Sequence, residues 1–332
     1  MQDILAQEAL FFKMKKTRVG LITRDCSGMN ACIRAVVRTA SALGIEVYGV
    51  HHGYNGLMNN EVAPMSSRDV SGILGLGGTI LKTARAKEFL TRQGQERAVA
   101  TIRKNGFDAL VVAGGNGSLT GAYLLFDTYS IPVVGIPATI DNDVNGVDIA
   151  IGADTAVNVA MEAIDKIRDT ATSLERIFVV EVMGRDCGYI ALQSGIAGGC
   201  ENVIIPEGKF SIGKICAEIQ EGNKKGKRSW IIVVAEGRAR AMNVASMIQK
   251  TTGLETREIV LGHIQRGGTP TAFDRILAAR YGSFAATLVH NKNFGVMTAL
   301  NKDVLATVPL RSVLKSKKID PGDYLDLIDI LT

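Results

Sequence analysis

Disulfide frameworks and zinc fingers are excluded first, because the sequence lacks the cysteine patterns that build them. Its five cysteines form no CxxC pair and no metal-finger spacing, which favours a reducing cytosol over an oxidising compartment. A signal peptide is also missing, since residues 1–16 hold only the short apolar cluster Ala9-Leu10-Phe11-Phe12 and no cleavage site. We therefore predict a cytoplasmic protein without a membrane anchor, in which residues 1–16 form an N-terminal extension.

Blocks of one charge are missing as well. Lys and Arg total 38 against 33 Asp and Glu, but the basic residues are scattered, so we expect no nucleic-acid partner. No repeat, low-complexity tract or Pro-rich linker divides the chain. With 332 residues and 46% hydrophobic content, the sequence is long enough for two domains with buried cores.

Short Val- and Ile-rich runs alternate with longer amphipathic stretches. The runs predicted as buried strands are Thr17–Thr23, Asp108–Ala113, Ile131–Ile136, Arg176–Val182, Asn202–Ile205, Trp230–Ala235 and Glu258–Leu261. Helical spacing of apolar residues predicts helices over Met29–Leu43, Arg97–Asn105 and Asp154–Thr170. This alternation predicts an α/β fold with parallel sheets covered on both faces.

A glycine-rich turn follows one of these strands. Gly114-Gly115-Asn116-Gly117-Ser118 leads directly into a helix, and its glycines permit backbone amides to approach phosphate oxygens closely. A tight strand-to-helix turn needs glycine even without a ligand, so this turn alone leaves both interpretations open.

Two carboxylates follow the next strand, in Thr139-Ile140-Asp141-Asn142-Asp143. One carboxylate at such a place accepts the proton of an attacking hydroxyl, while the other positions a metal ion or the first carboxylate. The alternative interpretation is a loop of Asx turns that caps a helix.

Cationic and donor side chains lie at the ends of later strands. Arg185 ends Glu181-Val182-Met183-Gly184-Arg185, and arginine suits bidentate phosphate contact. The further groups of this kind are Arg176, Arg257, His263 and Arg266. Together they suit an anionic sugar phosphate.

The ordered combination of T-I-D-N-D, V-M-G-R and G-H-I-Q-R-G-G resembles the bacterial 6-phosphofructokinase family, from Lys16 to about Arg280. The resemblance implies two similar αβα lobes with the active site in the cleft between them. It implies phosphate transfer from a nucleotide, ATP by default, to O1 of fructose 6-phosphate in glycolysis, with Mg²⁺ as cofactor. It also implies a homo-oligomer, usually a tetramer built as a dimer of dimers.

The resemblance further implies roles for single residues. Asp141 would be the catalytic base, supported by Thr139, Asp143 and Arg185. Fructose 6-phosphate would be bound by Arg176, Met183, Gly184, Arg185, Glu236, Arg257, His263 and Arg266, of which Arg176 and Arg257 reach from a neighbouring subunit. The nucleotide would be bound by Tyr54, Arg85, Gly115, Gly117 and Ser118, and the metal by Asn116 and Asp143.

The division of the chain follows the same resemblance. Residues 17–140 would form the donor lobe, to which the C-terminal part of the chain returns, residues 141–309 the sugar-phosphate lobe, and residues 310–332 a tail. An effector site for a nucleoside diphosphate or a phosphoacid would consist of Arg34, Arg38, Arg168, Glu201, Lys225 and Lys227. Without the resemblance, Arg34 and Arg38 are an i, i+4 pair on a solvated helix face.

The sequence departs from the family on the donor side. Only four residues separate Thr23 from Gly28, and Arg24 stands near the place of a double glycine. Asn116 replaces a metal-binding aspartate, which weakens metal binding; losing one such electrostatic element commonly costs ~10²–10³ in rate. Gly117 indicates a nucleotide donor, whereas Ala138 indicates neither a nucleotide nor pyrophosphate.

Around the expected adenine pocket, Ala86 and Leu90 replace larger or charged residues of the family, and Lys82 intrudes. We therefore expect reduced activity. Two alternatives stay open at this point: a catalytically inactive regulatory paralogue that binds sugar phosphate and effector, and an active enzyme that uses pyrophosphate or another donor than ATP.

Overall fold

The computed structural model describes residues 16–315 and 317–331; the predicted extension lies outside the described residues, except for Lys16. The strands of this part are β1 (Arg18–Thr23), β2 (Glu46–Val50), β3 (Val62–Met65), β4 (Ala109–Gly114), β5 (Val133–Pro137), β6 (Ile177–Val182), β7 (Asn202–Ile204), β8 (Trp230–Ala235), β9 (Thr256–Val260), β10 (Val296–Asn301) and β11 (Val304–Pro309).

Helices connect most of these strands. They are α1 (Met29–Ala42), α2 (Tyr54–Asn59), α3 (Arg92–Lys104), α4 (Asn116–Tyr129), α5 (Ala153–Leu174), α6 (Tyr189–Ala197), α7 (Ile212–Lys224), α8 (Ala241–Thr252), α9 (Ala272–His290) and α10 (Asp323–Leu331). Short 3₁₀ turns lie at Lys87–Leu90, Gly262–Arg266 and Leu310–Leu314. None of the described helices is long and apolar enough to cross a membrane.

The strands form two sheets, which confirms the predicted α/β class. The larger sheet has seven strands in the order β11-β10-β5-β4-β1-β2-β3, and the smaller has four in the order β7-β8-β6-β9. All pairs of the smaller sheet are parallel, and in the larger sheet only the two edge pairs, β2 with β3 and β10 with β11, are antiparallel. Every residue of β4, β6 and β8 is buried, because helices cover both faces of the parallel strands.

All seven predicted strands are present, with ends that differ by up to two residues. Four strands were not predicted, namely β2, β3, β10 and β11. They lie toward the sheet edges, and β3 contains Pro64 while β11 is half exposed. An edge strand keeps one solvated side and tolerates proline, so the continuous apolar run of a central strand is absent.

The chain returns to the larger sheet after it has built the smaller one. Strand β10 pairs parallel with β5, and β11 pairs with β10. Residues 296–309 therefore belong to the larger sheet, although they fall within the predicted sugar-phosphate lobe. The division at 140 and 309 stays a prediction, since the described topology shows sheets rather than functional lobes.

Helices α1 and α9 pack closely against each other beside the larger sheet. A Cβ atom added to Gly282 on α9 would lie 2.8 Å from the carbonyl oxygen of Cys32 and 2.9 Å from the Cβ of Ala35 on α1. Only glycine permits this backbone approach. By contrast, a Cβ on Gly213 of α7 would meet only the Ser211 hydroxyl, at 3.6 Å.

Gly282→Ala and Gly213→Ala therefore form a matched pair of substitutions. We expect Gly282→Ala to lower the free energy of unfolding by about 1–3 kcal/mol, because the added methyl forces the two helices apart. Gly213→Ala should raise it by about 0.5 kcal/mol through helix propensity. Urea denaturation followed by circular dichroism measures both; equal effects of the two substitutions would contradict this account of the packing.

Candidate active site

A cleft of about 350 Å³ opens beyond the carboxyl ends of the parallel strands. Strands β4 and β5 end at its floor, and the loop after β6 reaches it from the smaller sheet. Eleven residues predicted for catalysis, metal binding or substrate binding line it together, namely Tyr54, Arg85, Gly115, Asn116, Gly117, Ser118, Thr139, Asp141, Asp143, Arg185 and Arg266. The cleft is therefore the candidate active site.

Gly115 and Gly117, in the turn after β4, are explained by different observations. A Cβ on Gly115 would come within 3.1 Å of the Thr139 Cβ, so close packing against Thr139 favours glycine here. A Cβ on Gly117 would meet nothing within 4 Å, so packing does not explain the second glycine. Because Gly117 lies in the first turn of α4, where backbone amides lack helical partners, it leaves open space for an anion.

Asp141 is the most strongly perturbed carboxylate of the cleft. Its side chain is 3% exposed, and its Oδ2 lies 3.3 Å from Nε of Arg185. Burial, and next the charge of Asp143, raise the pKa of Asp141 to about 6, while Arg185 and Arg266 act in the opposite direction. A carboxylate with such a pKa is ionised at neutral pH and still basic enough to accept a proton.

Asn142, between the two aspartates, holds the loop in place. It has a φ of 50°, its Nδ2 donates to the carbonyl of Asp148 at 3.1 Å, and its Oδ1 accepts from the amide of Ala150 at 2.9 Å. Asn142 therefore stabilises the loop through bonds to Asp148 and Ala150 rather than through an Asx turn or a helix cap. Asp141 and Asp143 keep their carboxylates for other partners.

Three oxygens of the cleft fit a hard cation. Oδ1 of Asn116, of Asp141 and of Asp143 are buried and have no hydrogen-bond partner among the described residues. Within the described chain, no group of three or more His, Cys, Asp and Glu side chains is arranged to hold a metal. The carboxylate of Asp143 and the amide oxygen of Asn116 are nevertheless of the kind that Mg²⁺ binds, and Mg²⁺ keeps several waters and phosphate oxygens as further ligands.

Asn116 also has a structural contact that an aspartate would lack. Its Nδ2 donates to the backbone carbonyl of Asp143 at 3.0 Å. The amide therefore joins the start of α4 to the loop after β5. Compared with an aspartate at this position, Asn116 lacks a negative charge but makes this additional hydrogen bond.

Arg24 lies against the glycine turn and faces the cleft. Nη1 donates to Oγ1 of Thr83 at 2.7 Å and to the carbonyl of Ala84 at 2.8 Å, whereas Nε and Nη2 have no hydrogen bond to a described residue. Burial, and next the charges of Arg266 and Arg185, lower the pKa of Arg24. Arginines crowded in this way favour an anionic ligand that neutralises them.

The predicted sugar-phosphate residues separate into two groups. Met183 and Gly184 follow β6, Glu236 follows β8, and the turn that contains His263 and Arg266 follows β9. Glu236 accepts from the amide of Arg185 at 3.2 Å. These residues lie at the carboxyl end of the smaller sheet.

Arg176 and Arg257 lie at the opposite end. Arg176 precedes β6 and Arg257 is near the start of β9, and both form ion pairs with Glu255. A six-residue strand spans roughly 20 Å. Within one chain, the structure does not bring these two arginines to the cleft.

The predicted effector residues also separate. Glu201 accepts from the amide of Ile231 at 2.7 Å and pairs with Lys227 at 3.0 Å, and Arg168 donates to the carbonyl of Gly199 at 2.6 Å. Lys225 pairs with Glu221 on α7 at 3.3 Å. Arg34 and Arg38 lie on α1, and no hydrogen bond or ion pair within residues 16–315 and 317–331 joins them to the other four.

Sequence reasoning missed Asp274, which lies fully buried behind the cleft. It accepts from the amides of Gly152 and Thr155, both at 2.8 Å, and so fixes the start of α5 to α9. Thr271 caps α9, since its hydroxyl accepts from the amide of Asp274 at 3.3 Å. The spacing of Thr271 and Asp274 would have indicated a helix start at Thr271, but not the bonds that Asp274 accepts from Gly152 and Thr155.

The chain is similar to known phosphofructokinases. A family model described as phosphofructokinase matches residues 18–289. The ATP-dependent 6-phosphofructokinase of Thermotoga petrophila is 48% identical over 305 residues, which cover 92% of this chain and 96% of that protein. That of Halalkalibacterium halodurans is 48% identical over 302 residues, with 90% and 94% covered.

A solved structure of a phosphofructokinase is also similar to this chain. Phosphofructokinase from Saccharomyces cerevisiae superimposes with a TM-score of 0.83 and 37% sequence identity, over 90% of this chain and 45% of that chain. This chain therefore spans less than half of the yeast subunit. The similarity extends across both sheets and includes the cleft.

The raised pKa of Asp141 predicts a gain in stability on its neutralisation. The folded protein keeps this proton up to about pH 6, against 3.8 for a free carboxyl, so stability is lost as the pH rises between these values. Asp141→Asn should therefore raise the free energy of unfolding at pH 8 by up to on the order of 3 kcal/mol, with no gain below pH 4.

Thermal and urea denaturation across this pH range, in EDTA and without nucleotide, measure the difference. Asp165→Asn, an exposed change of the same kind on α5, is the control. A constant difference between wild type and Asp141→Asn at all pH values would contradict the assignment.

Proposed function

Because the chain belongs to the phosphofructokinase family, we propose that it is an ATP-dependent 6-phosphofructokinase that phosphorylates O1 of fructose 6-phosphate. The observation that carries the proposal is the ion pair between the buried carboxylate of Asp141 and the exposed guanidinium of Arg185, at 3.3 Å. It stands in the cleft where an open helix start and two arginines face the space for a donor. The family resemblance inferred from the sequence motifs is confirmed by the family match and by the 48% identity.

Asp141 is the catalytic base in this proposal. The O1 hydroxyl transfers its proton to Oδ1 of Asp141, which has no partner among the described residues. As the bond from O1 to the terminal phosphorus of ATP forms, the bond from that phosphorus to the bridging oxygen breaks and ADP leaves. Arg185 stands beside Asp141 and stabilises negative charge on the transferring group.

The donor phosphates are held by the start of α4 and by side-chain cations. Gly117 offers open space in the first helical turn, and Arg24 and Arg85 line the same wall. A bound Mg²⁺ supplies electrostatic stabilisation of the phosphate charge. Asn116 and Asp143 would hold it, since both have a buried oxygen without a protein partner.

The sugar phosphate occupies the side of the cleft formed by the smaller sheet. Its ligands in the same chain are Met183, Gly184, Glu236, His263 and Arg266. Arg176 and Arg257, at the opposite end of that sheet, would serve a neighbouring subunit. This arrangement requires a homo-oligomer, and we infer a cytoplasmic tetramer with Mg²⁺ as cofactor.

The effector residues fit the same assembly. Arg168, Glu201, Lys225 and Lys227 lie at the amino end of the smaller sheet or beside it, away from the cleft. Arg34 and Arg38 would complete a site for a nucleoside diphosphate or phosphoacid from another subunit. An inactive paralogue and a pyrophosphate-dependent enzyme are not favoured, because the relatives with 46–48% identity are ATP-dependent enzymes.

The function is tested by coupled assays of fructose 1,6-bisphosphate formation. We expect turnover with ATP, Mg²⁺ and fructose 6-phosphate, and a loss on the order of 10³-fold or more in Asp141→Ala, because the general base is removed. ADP, GTP and pyrophosphate are tested in parallel. Activity with pyrophosphate but none with ATP would contradict the assignment of ATP as the donor. No activity with any donor, in a protein that still binds fructose 6-phosphate, would contradict the assignment of kinase activity.

Asn116→Asp tests the metal ligands. The new carboxylate should lower the Mg²⁺ concentration needed for half-maximal activity several-fold, because it adds a full charge. It should also lower the melting temperature, because the hydrogen bond from Asn116 to the Asp143 carbonyl is lost. Asn293→Asp, an exposed change on another face, controls for the added charge. An unchanged Mg²⁺ requirement would place the metal elsewhere.

A further inference from the structure

We propose that Lys317 is a positioning residue for the loop that carries Asp141 and Asp143, and that the C-terminal segment, residues 304–315 and 317–331, thereby controls the geometry of this carboxylate pair. Neither the motifs nor the family resemblance assigned a role to this lysine. The catalytic consequence rests on the proposed function, whereas the positioning itself is measured separately.

Lys317 places its ammonium group on the backbone of the loop. Nζ donates to the carbonyl of Val147 at 2.7 Å and to that of Asp148 at 3.3 Å. Burial lowers the pKa of Lys317, and the nearby Cys187, Asp148 and Asp143 oppose this effect. A partly buried ammonium group is costly unless it is hydrogen-bonded, so these two carbonyls hold it in one place.

The carbonyl of Asp148 connects Lys317 to the catalytic residues. The same oxygen accepts a hydrogen bond from Nδ2 of Asn142 at 3.1 Å, and Asn142 stands between Asp141 and Asp143 in the chain. Lys317 and Asn142 therefore bind one acceptor from two sides. A shift of this carbonyl moves the residue that separates the two carboxylates.

The C-terminal segment contacts this loop at two further points. Nδ2 of Asn145 donates to the carbonyl of Ser312 at 3.2 Å. Gly146 has a φ of 81° and lies so close to Val308 that an added Cβ would come within 2.8 Å of its Cγ1. Consecutive loop residues from 145 to 148 are thus held by one segment.

The segment is anchored at both of its ends. Strand β11 pairs with β10 in the larger sheet, and α10 lies on the smaller-sheet side, where Asp329 pairs with Lys214 at 3.1 Å. Ile328 of α10 is 4% exposed. Lys317 lies between these anchors, so the position of the carboxylate loop depends on contacts with both sheets.

Lys317→Met tests the proposal, because it keeps an apolar stem and removes the ammonium group. We expect kcat with ATP to fall on the order of tenfold or more, while both KM values stay within about twofold, since a small displacement of the base slows chemistry without removing a substrate contact. Lys317→Arg should keep most of the activity. Lys318→Met, the same change at the exposed neighbouring residue, should behave like wild type.

Hydrogen exchange gives the readout that needs no activity. The amide of Ala150, which donates to Oδ1 of Asn142, should exchange faster in Lys317→Met than in wild type and Lys318→Met, at an unchanged melting temperature. Asn145→Ala, which removes the contact with Ser312, should speed the same exchange and serves if Lys317→Met does not fold.

The two proposals fail separately. Full activity and wild-type exchange of Ala150 in Lys317→Met would overturn the role of Lys317 and leave the kinase assignment intact. A raised KM with unchanged kcat would also overturn it, since Lys317 would then act on substrate binding. A wild-type protein without kinase activity would overturn the function, and the exchange of Ala150 would still decide the positioning.

Discussion

The site depends on keeping an ionised carboxylate, Asp141, almost completely buried beside an arginine. Desolvation makes this ion unfavourable, and the charge of Asp143 adds to the cost. Arg185 offsets part of it across the cleft, from the loop after a strand of the other sheet. The two sheets therefore have to meet at this point, and the carboxylate retains the basicity that a proton acceptor needs.

Rigid support follows from this requirement, because a buried base works only when its position is fixed. Asn142 bonds both sides of its own loop, and the hydroxyl of Tyr281 donates to the carbonyl of Ile149 at 2.9 Å. Asp274 fixes the start of α5 directly behind the loop. Tyr281 and Asp274 come from a distant part of the chain, and neither they nor Asn142 line the cleft.

The donor side keeps the same architecture with different chemistry. Arg24 lies against the glycine turn and is held there by hydrogen bonds to Thr83 and Ala84. Asn116 has no negative charge for a metal ion, but it donates a hydrogen bond to the Asp143 carbonyl. Sequence comparison identified both positions as departures. It did not reveal that each side chain has a hydrogen-bond partner close by in space, because these partners lie more than twenty residues away in the sequence.

The sequence by itself determined the central strands, the cleft motifs and the family, because buried parallel strands need continuous Val and Ile runs and the chemistry needs particular side chains after them. The edge strands β3 and β11 were not predictable, since half-solvated strands carry no such run. Only the tertiary structure decided that Lys317 and Asp274 support the loop of Asp141. The contacts of Lys317 and Asp274 join segments more than a hundred residues apart, which no local pattern encodes.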